Sequence, residues 1–112
     1  MKKPNLCHAL TAPIKLMGMP EIARTALILK ALAEPTRLRI ITRLQREGPV
    51  TVLKLSHELG VNIATVSIAL KVLREAGLIT SKKRGKFVTS AINPEAVTDG
   101  KFRCGCCEFE IE

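Results

Sequence analysis

The chain has 112 residues and a formal net charge of +8. Of its residues 46% are apolar, yet there are only three Phe and no Trp or Tyr. That length suits one compact domain, and the charge predicts attraction to polyanions, nucleic acid before an anionic membrane. No apolar run reaches the roughly 18 residues of a membrane span, and Pro4, Asn5, His8 and Pro13 interrupt any signal-peptide core, so a cytoplasmic protein is expected.

Residues 1–20 read as an irregular N-terminal extension. Pro20 and Glu21 open a helical stretch in which Ile22, Ala26, Leu29 and Ala33 share one helix face. Pro35 starts a second helix, with Leu38, Ile41 and Leu44 on its buried side and Arg37, Arg39 and Arg43 around them. Gly48 and Pro49 end it. Thr51 is suited to cap a short third helix over 52–59, with Leu55 and Leu59 inward. Gly60 allows a tight turn, and Asn62 caps a fourth helix over about 63–76 whose stripe is Val66, Leu70 and Leu73. Gly77 is its stop signal. Two strand candidates follow, 78–81 and 87–92, around a basic tip, Lys82-Lys83-Arg84-Gly85-Lys86. A polar link leads to a final strand in which Cys107, Phe109 and Ile111 alternate with Glu108, Glu110 and Glu112. The expected fold is mainly α with a small β-hairpin wing, a winged helix-turn-helix over 21–95, and a Cys-containing tail over 96–112 that adds an extra strand.

Two short helices joined by a Gly-containing turn make a helix-turn-helix unit. The second begins with small or polar residues, Asn62, Ala64, Thr65, Ser67 and Ala69, which let a helix enter a major groove. Thr65 and Ser67 carry hydrogen-bonding groups for base edges or phosphates, and Ile63 suits a thymine methyl. The helix starts at Thr51 and Asn62 favour phosphate through free N–H groups. Lys71 and the tip residues Lys82, Lys83, Arg84 and Lys86 add cations for the backbone, so phosphate contacts would position the protein and base contacts would specify the site. The expected partner is double-stranded DNA. No Ser/His/Asp order, carboxylate pair or Gly-rich phosphate loop supports an enzyme.

The runs LKALAEPTRLRII (29–41), HELGVNIATVS (57–67) and LKVLREAGLI (70–79), followed by AINPE (91–95), resemble the ArsR/SmtB family of winged-helix repressors. The resemblance covers about residues 21–95. It implies a helical core with a hairpin wing and a homodimer to whose interface the N-terminal helix contributes. It also implies a roughly two-fold operator, with release when an inducer binds. Many members have two His where Ile68 and Ala69 stand here. The arsenic and lead sensors carry Cys-Val-Cys in the helix where this chain has Val52-Leu53-Lys54-Leu55-Ser56, and no evident C-terminal helix carries the Asp/His ligands of the zinc sensors. Neither familiar sensory site carries over.

The cysteines offer another sensory site. Cys104, Cys106 and Cys107 lie within four residues, and Cys7 or His8 could complete a ligand set, from the same chain or another. Thiolates suit zinc, copper(I) and trivalent arsenic. In a regular strand Cys106 and Cys107 would face opposite ways, which opposes a simple three-sulfur site. A packing role for Cys107 beside Phe109 and Ile111 and a redox switch remain open. The expectation is a repressor released by a soft metal or metalloid ion. The alternative is a winged-helix protein-interaction module with a structural or redox Cys cluster.

Overall fold

The computed structural model describes residues 21–98, 101–104 and 107–110. Among these residues are four helices, most of whose boundaries have a local cause. Helix α1 (Glu21–Leu32) is followed after two residues by α2 (Pro35–Glu47). The Glu34 carboxylate caps α2, accepting from the backbone N–H groups of Thr36 at 3.1 Å and Arg37 at 3.0 Å. Pro35 sits in the first turn, where a missing N–H costs nothing. Arg37 reaches back with Nε to the carbonyl of Ala31, closing the end of α1.

Strand β1 (Val50–Thr51) runs directly into α3 (Val52–Leu59). Thr51 Oγ1 accepts from Lys54 N–H at 3.2 Å as the cap of α3. Gly60 ends that helix at φ +64°, a left-handed conformation that a residue with a Cβ rarely adopts. The turn carries the chain into α4 (Ile63–Glu75), whose cap is Asn62, with Oδ1 2.7 Å from Ala64 N.

These helices enclose one aliphatic core. Ile40, Ile41 and Leu44 of α2 meet Leu55 of α3 and Val66, Leu70 and Leu73 of α4. Val50 and Ile79 join them from the sheet, and Leu78 from the turn that leads into it. The packed face of α1 is Ile28, Ala31 and Leu32, with Arg24 and Thr25 also buried. The expected stripe of Ile22, Ala26, Leu29 and Ala33 is therefore a real face but points to solvent: Ile22 is 75% and Leu29 45% exposed. Periodicity defines a helix face without saying what covers it.

After α4 come β2 (Ile79–Arg84) and β3 (Phe87–Ile92), an antiparallel hairpin that with β1 forms a sheet of order β1-β3-β2. The strand runs further than its composition suggested. Lys82, Lys83 and Arg84 pair with Thr89, Val88 and Phe87, leaving only Gly85 and Lys86 as the turn. Charged residues have low strand preference, but the pairing with β3 overrides it.

A second sheet, unforeseen except for its last strand, has the order β4-β5-β6. Its strands are β4 (Val97–Thr98), β5 (Lys101–Cys104) and β6 (Cys107–Glu110), with β5 running beside α1. The expected tail strand is β6. Residues 95–101, read as a polar link, instead supply β4 and the start of β5. A two-residue strand is too short to show alternation.

Candidate nucleic-acid interface

Along α4, Val66, Ala69, Leu70 and Leu73 are buried, and the opposite side carries Ala64, Ser67, Ile68 and Lys71, all exposed. Thr65 is exposed at the edge of this stripe, and Ile63, 43% exposed, stands at its N-terminal end. Ala69 needs correction. At 5% exposure it belongs to the core side, three residues from Val66 and four from Leu73, and cannot reach a groove. Ile68, which the sequence reading left out of its candidate set, is 66% exposed near the middle of the outward stripe. Counting positions from the buried stripe would have found it.

The two helix caps have side-chain work already. Thr51 and Asn62 use their oxygens on Lys54 and Ala64 N–H groups, so what they offer a ligand is the orientation of the helix ends. Lys82, Lys83, Arg84 and Lys86 are all exposed on the wing, with Lys86 Nζ 5.7 Å from the centre of the Phe87 ring. Strand alternation puts Lys82 and Arg84 on one face of the hairpin and Lys83 on the other.

What sets the wing against the helices is a group of contacts that sequence reading missed. Residue Thr51, the α3 cap, is also the register partner of Thr89, so β1 ties the hairpin to the start of the helix-turn-helix. At the base of the wing, Asn93 Nδ2 donates to the Gly77 carbonyl at 3.0 Å and its Oδ1 accepts from Glu95 N–H at 3.1 Å. Its own N–H donates to Leu78, so one buried amide holds the end of β3 to the exit from α4. Ser81 and Ser90 share a hydrogen bond across the strands at 3.2 Å.

The helix-turn-helix is braced from behind by Arg43. Its Nε donates to Glu58 Oε1 at 2.6 Å and its Nη1 to the Gly48 carbonyl at 3.2 Å, with Glu47 3.7 Å away. The hydrogen bond from Arg43 is the main cause holding the Glu58 carboxyl below its ordinary pKa. The same bond raises the pKa of Arg43. Arg39 adds a bond from Nη2 to the Leu59 carbonyl at 3.0 Å. On the far side of the turn, Ser56 Oγ donates to the Val61 carbonyl.

Comparison with known proteins agrees with this geometry. A family described as a helix-turn-helix domain matches residues 32–82. The arsenic resistance transcriptional regulator ArsR1 of Pseudomonas putida is 35% identical over 77 residues, 69% of this chain and 60% of its own length. The arsenical resistance operon repressor of Escherichia coli is 32% identical over 83 residues, 69% of this chain and 71% of its own. Among solved structures, the homodimeric winged helix-turn-helix DNA-binding domain of Mb0332 from Mycobacterium bovis superposes with a TM-score of 0.60 at 30% identity. That match covers 63% of this chain and 65% of the other. The chain belongs to the ArsR/SmtB family. This is a family of transcriptional regulators rather than enzymes, and the chain spans less than two thirds of the length of ArsR1.

Within that family the chain's departures now have positions. The pair Ile68–Ala69, where many members carry two His, is split between the outward and core faces of α4. The helix that holds Cys-Val-Cys in arsenic and lead sensors is α3, and its Leu55 lies fully buried at 0% exposure. Of the cysteines, Cys104 and Cys107 are register partners across β5 and β6. Cys106 and Cys7, with His8, lie outside the described residues. Among the described residues no group of three or more His, Cys, Asp or Glu is gathered as a metal centre. His57 is exposed on α3. No described helix is long and apolar enough to cross a membrane.

Proposed function

We propose that this protein is a homodimeric transcriptional repressor of the cytoplasm that binds a two-fold DNA operator and leaves it when a soft metal or metalloid ion binds. The outward stripe of α4 enters the major groove, with Ile63, Ala64, Thr65 and Ser67 near base edges and Lys71 toward the backbone. The helix ends at Thr51 and Asn62 face phosphates, and Lys82, Lys83, Arg84 and Lys86 clamp flanking phosphate. One observation carries the DNA half of this reading: an uncovered helix face that begins with the short Ala64 and Ser67 and a wing of four exposed cations are both held to a single core, through β1 and Asn93. Helix depth and charge position are thereby set before DNA arrives, which favours recognition.

Dimerisation draws support from the uncovered stripe of α1, with Ile22 75% and Leu29 45% exposed, and from the homodimeric state of the Mb0332 domain. The sensory half rests on Cys104, Cys106 and Cys107, with Cys7 as an added ligand. The opposed register positions of Cys104 and Cys107 favour a two-thiolate grip. Directly opposed residues of an antiparallel pair lie about 4.5–5.5 Å apart at Cα, a spacing that can converge on one thiophilic ion. Names of the relatives connect arsenic with two of them. The effector is expected among arsenite, zinc and copper(I), and DNA binding needs no cofactor.

The test begins with selection of duplexes from a random pool, followed by titration of the complex with each ion. Enrichment of a two-fold site supports the DNA half. Release by one ion from the parent and not from a Cys104→Ser/Cys107→Ser variant supports the sensory half. Unchanged affinity with all three ions removes the sensory half alone. No preference for any duplex would turn the reading toward a protein-docking module.

A further inference from the structure

Ile68 is unexplained by folding. It is 66% exposed on α4 and contributes nothing to the core, while a β-branched side chain lowers helix propensity relative to Ala, Leu or Lys. Single exposed aliphatic residues are ordinary on protein surfaces, so position has to decide. The position is specific. Ala64 lies one turn before it, Ser67 beside it and Lys71 almost one turn after, all exposed on the same face. Ala64 and Ser67 are shorter, so the Ile68 side chain stands out beyond them as the foremost apolar group of the stripe.

Resting on the reading of α4 as a groove-entering helix, the geometry points to Ile68 as a specificity-determining residue that reads the C5 methyl group of thymine. Within the major groove only thymine presents a methyl; cytosine presents an amino donor, and the purines present acceptors or an amino group. An aliphatic side chain gains by excluding water from that methyl. It pairs poorly with the cytosine amino group, which would lose its water without a new acceptor. Lys71, a turn further on, supplies charge without base preference, so it holds the helix in the groove while Ile68 discriminates.

The deciding experiment removes the methyl group rather than the residue alone. A duplex selected by the full-length parent protein is remade with each thymine replaced in turn by deoxyuridine, and affinities are measured for the parent, Ile68→Ala and Ile63→Ala. At one thymine per half-site, deoxyuridine should weaken the parent about fourfold, the worth of one buried methyl group. Ile68→Ala should bind the thymine duplex more weakly and be indifferent to that replacement; Ile63→Ala should remain sensitive to it. Because Ala favours helix more than Ile does, an unchanged thermal midpoint and salt slope would show that Ile68→Ala keeps its fold and its phosphate contacts. Three results overturn the assignment: a parent indifferent to deoxyuridine everywhere, an Ile68→Ala variant as sensitive as the parent, or sensitivity lost only in Ile63→Ala. A selected and tightly bound duplex combined with any of these sinks the Ile68 inference alone. Failure to select any duplex sinks the DNA-binding reading and this inference with it.

Discussion

Three described helices leave large aliphatic side chains in solvent, α3 through Leu53 alone, and of these α1 and α4 do so in different company. On α1, Ile22 and Leu29 share a face with the exposed Ala26, and the exposed Ala33 continues it just past the helix end. On α4, Ile68 stands among Ala64, Ser67 and Lys71, beside a wing of four cations. An uninterrupted apolar stripe suits another apolar surface, because nothing on it needs water. Separated aliphatic groups among polar and cationic neighbours suit a surface that is mostly charged and carries isolated methyl groups. Exposed apolar residues therefore take their meaning from what surrounds them.

The sharpest way to break the comparison is to charge the α1 stripe. Leu29→Asp should convert a dimer to a monomer in sedimentation and weaken two-fold operator binding about a hundredfold, through loss of linked half-site binding. Base preference within one half-site should survive. A dimer that persists with full affinity would show that α1 is not the subunit contact.

On the α4 side, the wing has to be stiff for its cations to matter. Asn93→Ala leaves the Gly77 carbonyl and the Glu95 N–H without their side-chain partner. It should cost about 1–3 kcal/mol in denaturant unfolding. Lys82→Ala/Arg84→Ala should leave stability nearly unchanged. Binding should weaken roughly tenfold at moderate salt, and the slope of log affinity against log salt should shallow by about 2, equally for all sequences. A change of preferred sequence instead would move the wing from the phosphates to the bases.

The smallest effect concerns the brace behind the helix-turn-helix. The Glu58 carboxyl is held below its ordinary value of 4.5, chiefly by the hydrogen bond from Arg43. A lowered carboxyl pKa stabilises the fold fully above the unfolded value, and that contribution is lost as pH falls through the folded one. Glu58→Gln should therefore flatten the stability profile below about pH 4.5 and leave the pH dependence at neutrality unchanged. An acid limb identical to the parent's would assign it to other carboxylates, Glu34 among them, whose capping bonds to Thr36 and Arg37 N–H also lower its pKa.

Much of the helical architecture was readable because its causes are local. Thr51 and Asn62 announce helix starts by chemistry that acts over two or three residues, and Gly48 and Gly60 announce stops. The wing's charges were equally plain, although their membership of β2 was not, since pairing with β3 overrides the low strand preference of Lys82, Lys83 and Arg84. Ala69 was misplaced because small size suggested access, whereas helical phase puts it against the core. Asn93 went unnoticed because its partner, Gly77, is 16 residues away.

By itself, the order of residues decided where helices begin and end, which residues form the α4 stripe, and where positive charge collects. Those are short-range matters of capping, periodicity and composition. Only the folded chain decided that the apolar face of α1 is left uncovered. It alone brought β1 to β3, and Cys104 opposite Cys107. Such outcomes depend on which surfaces meet, and that choice is made by packing between segments far apart along the chain.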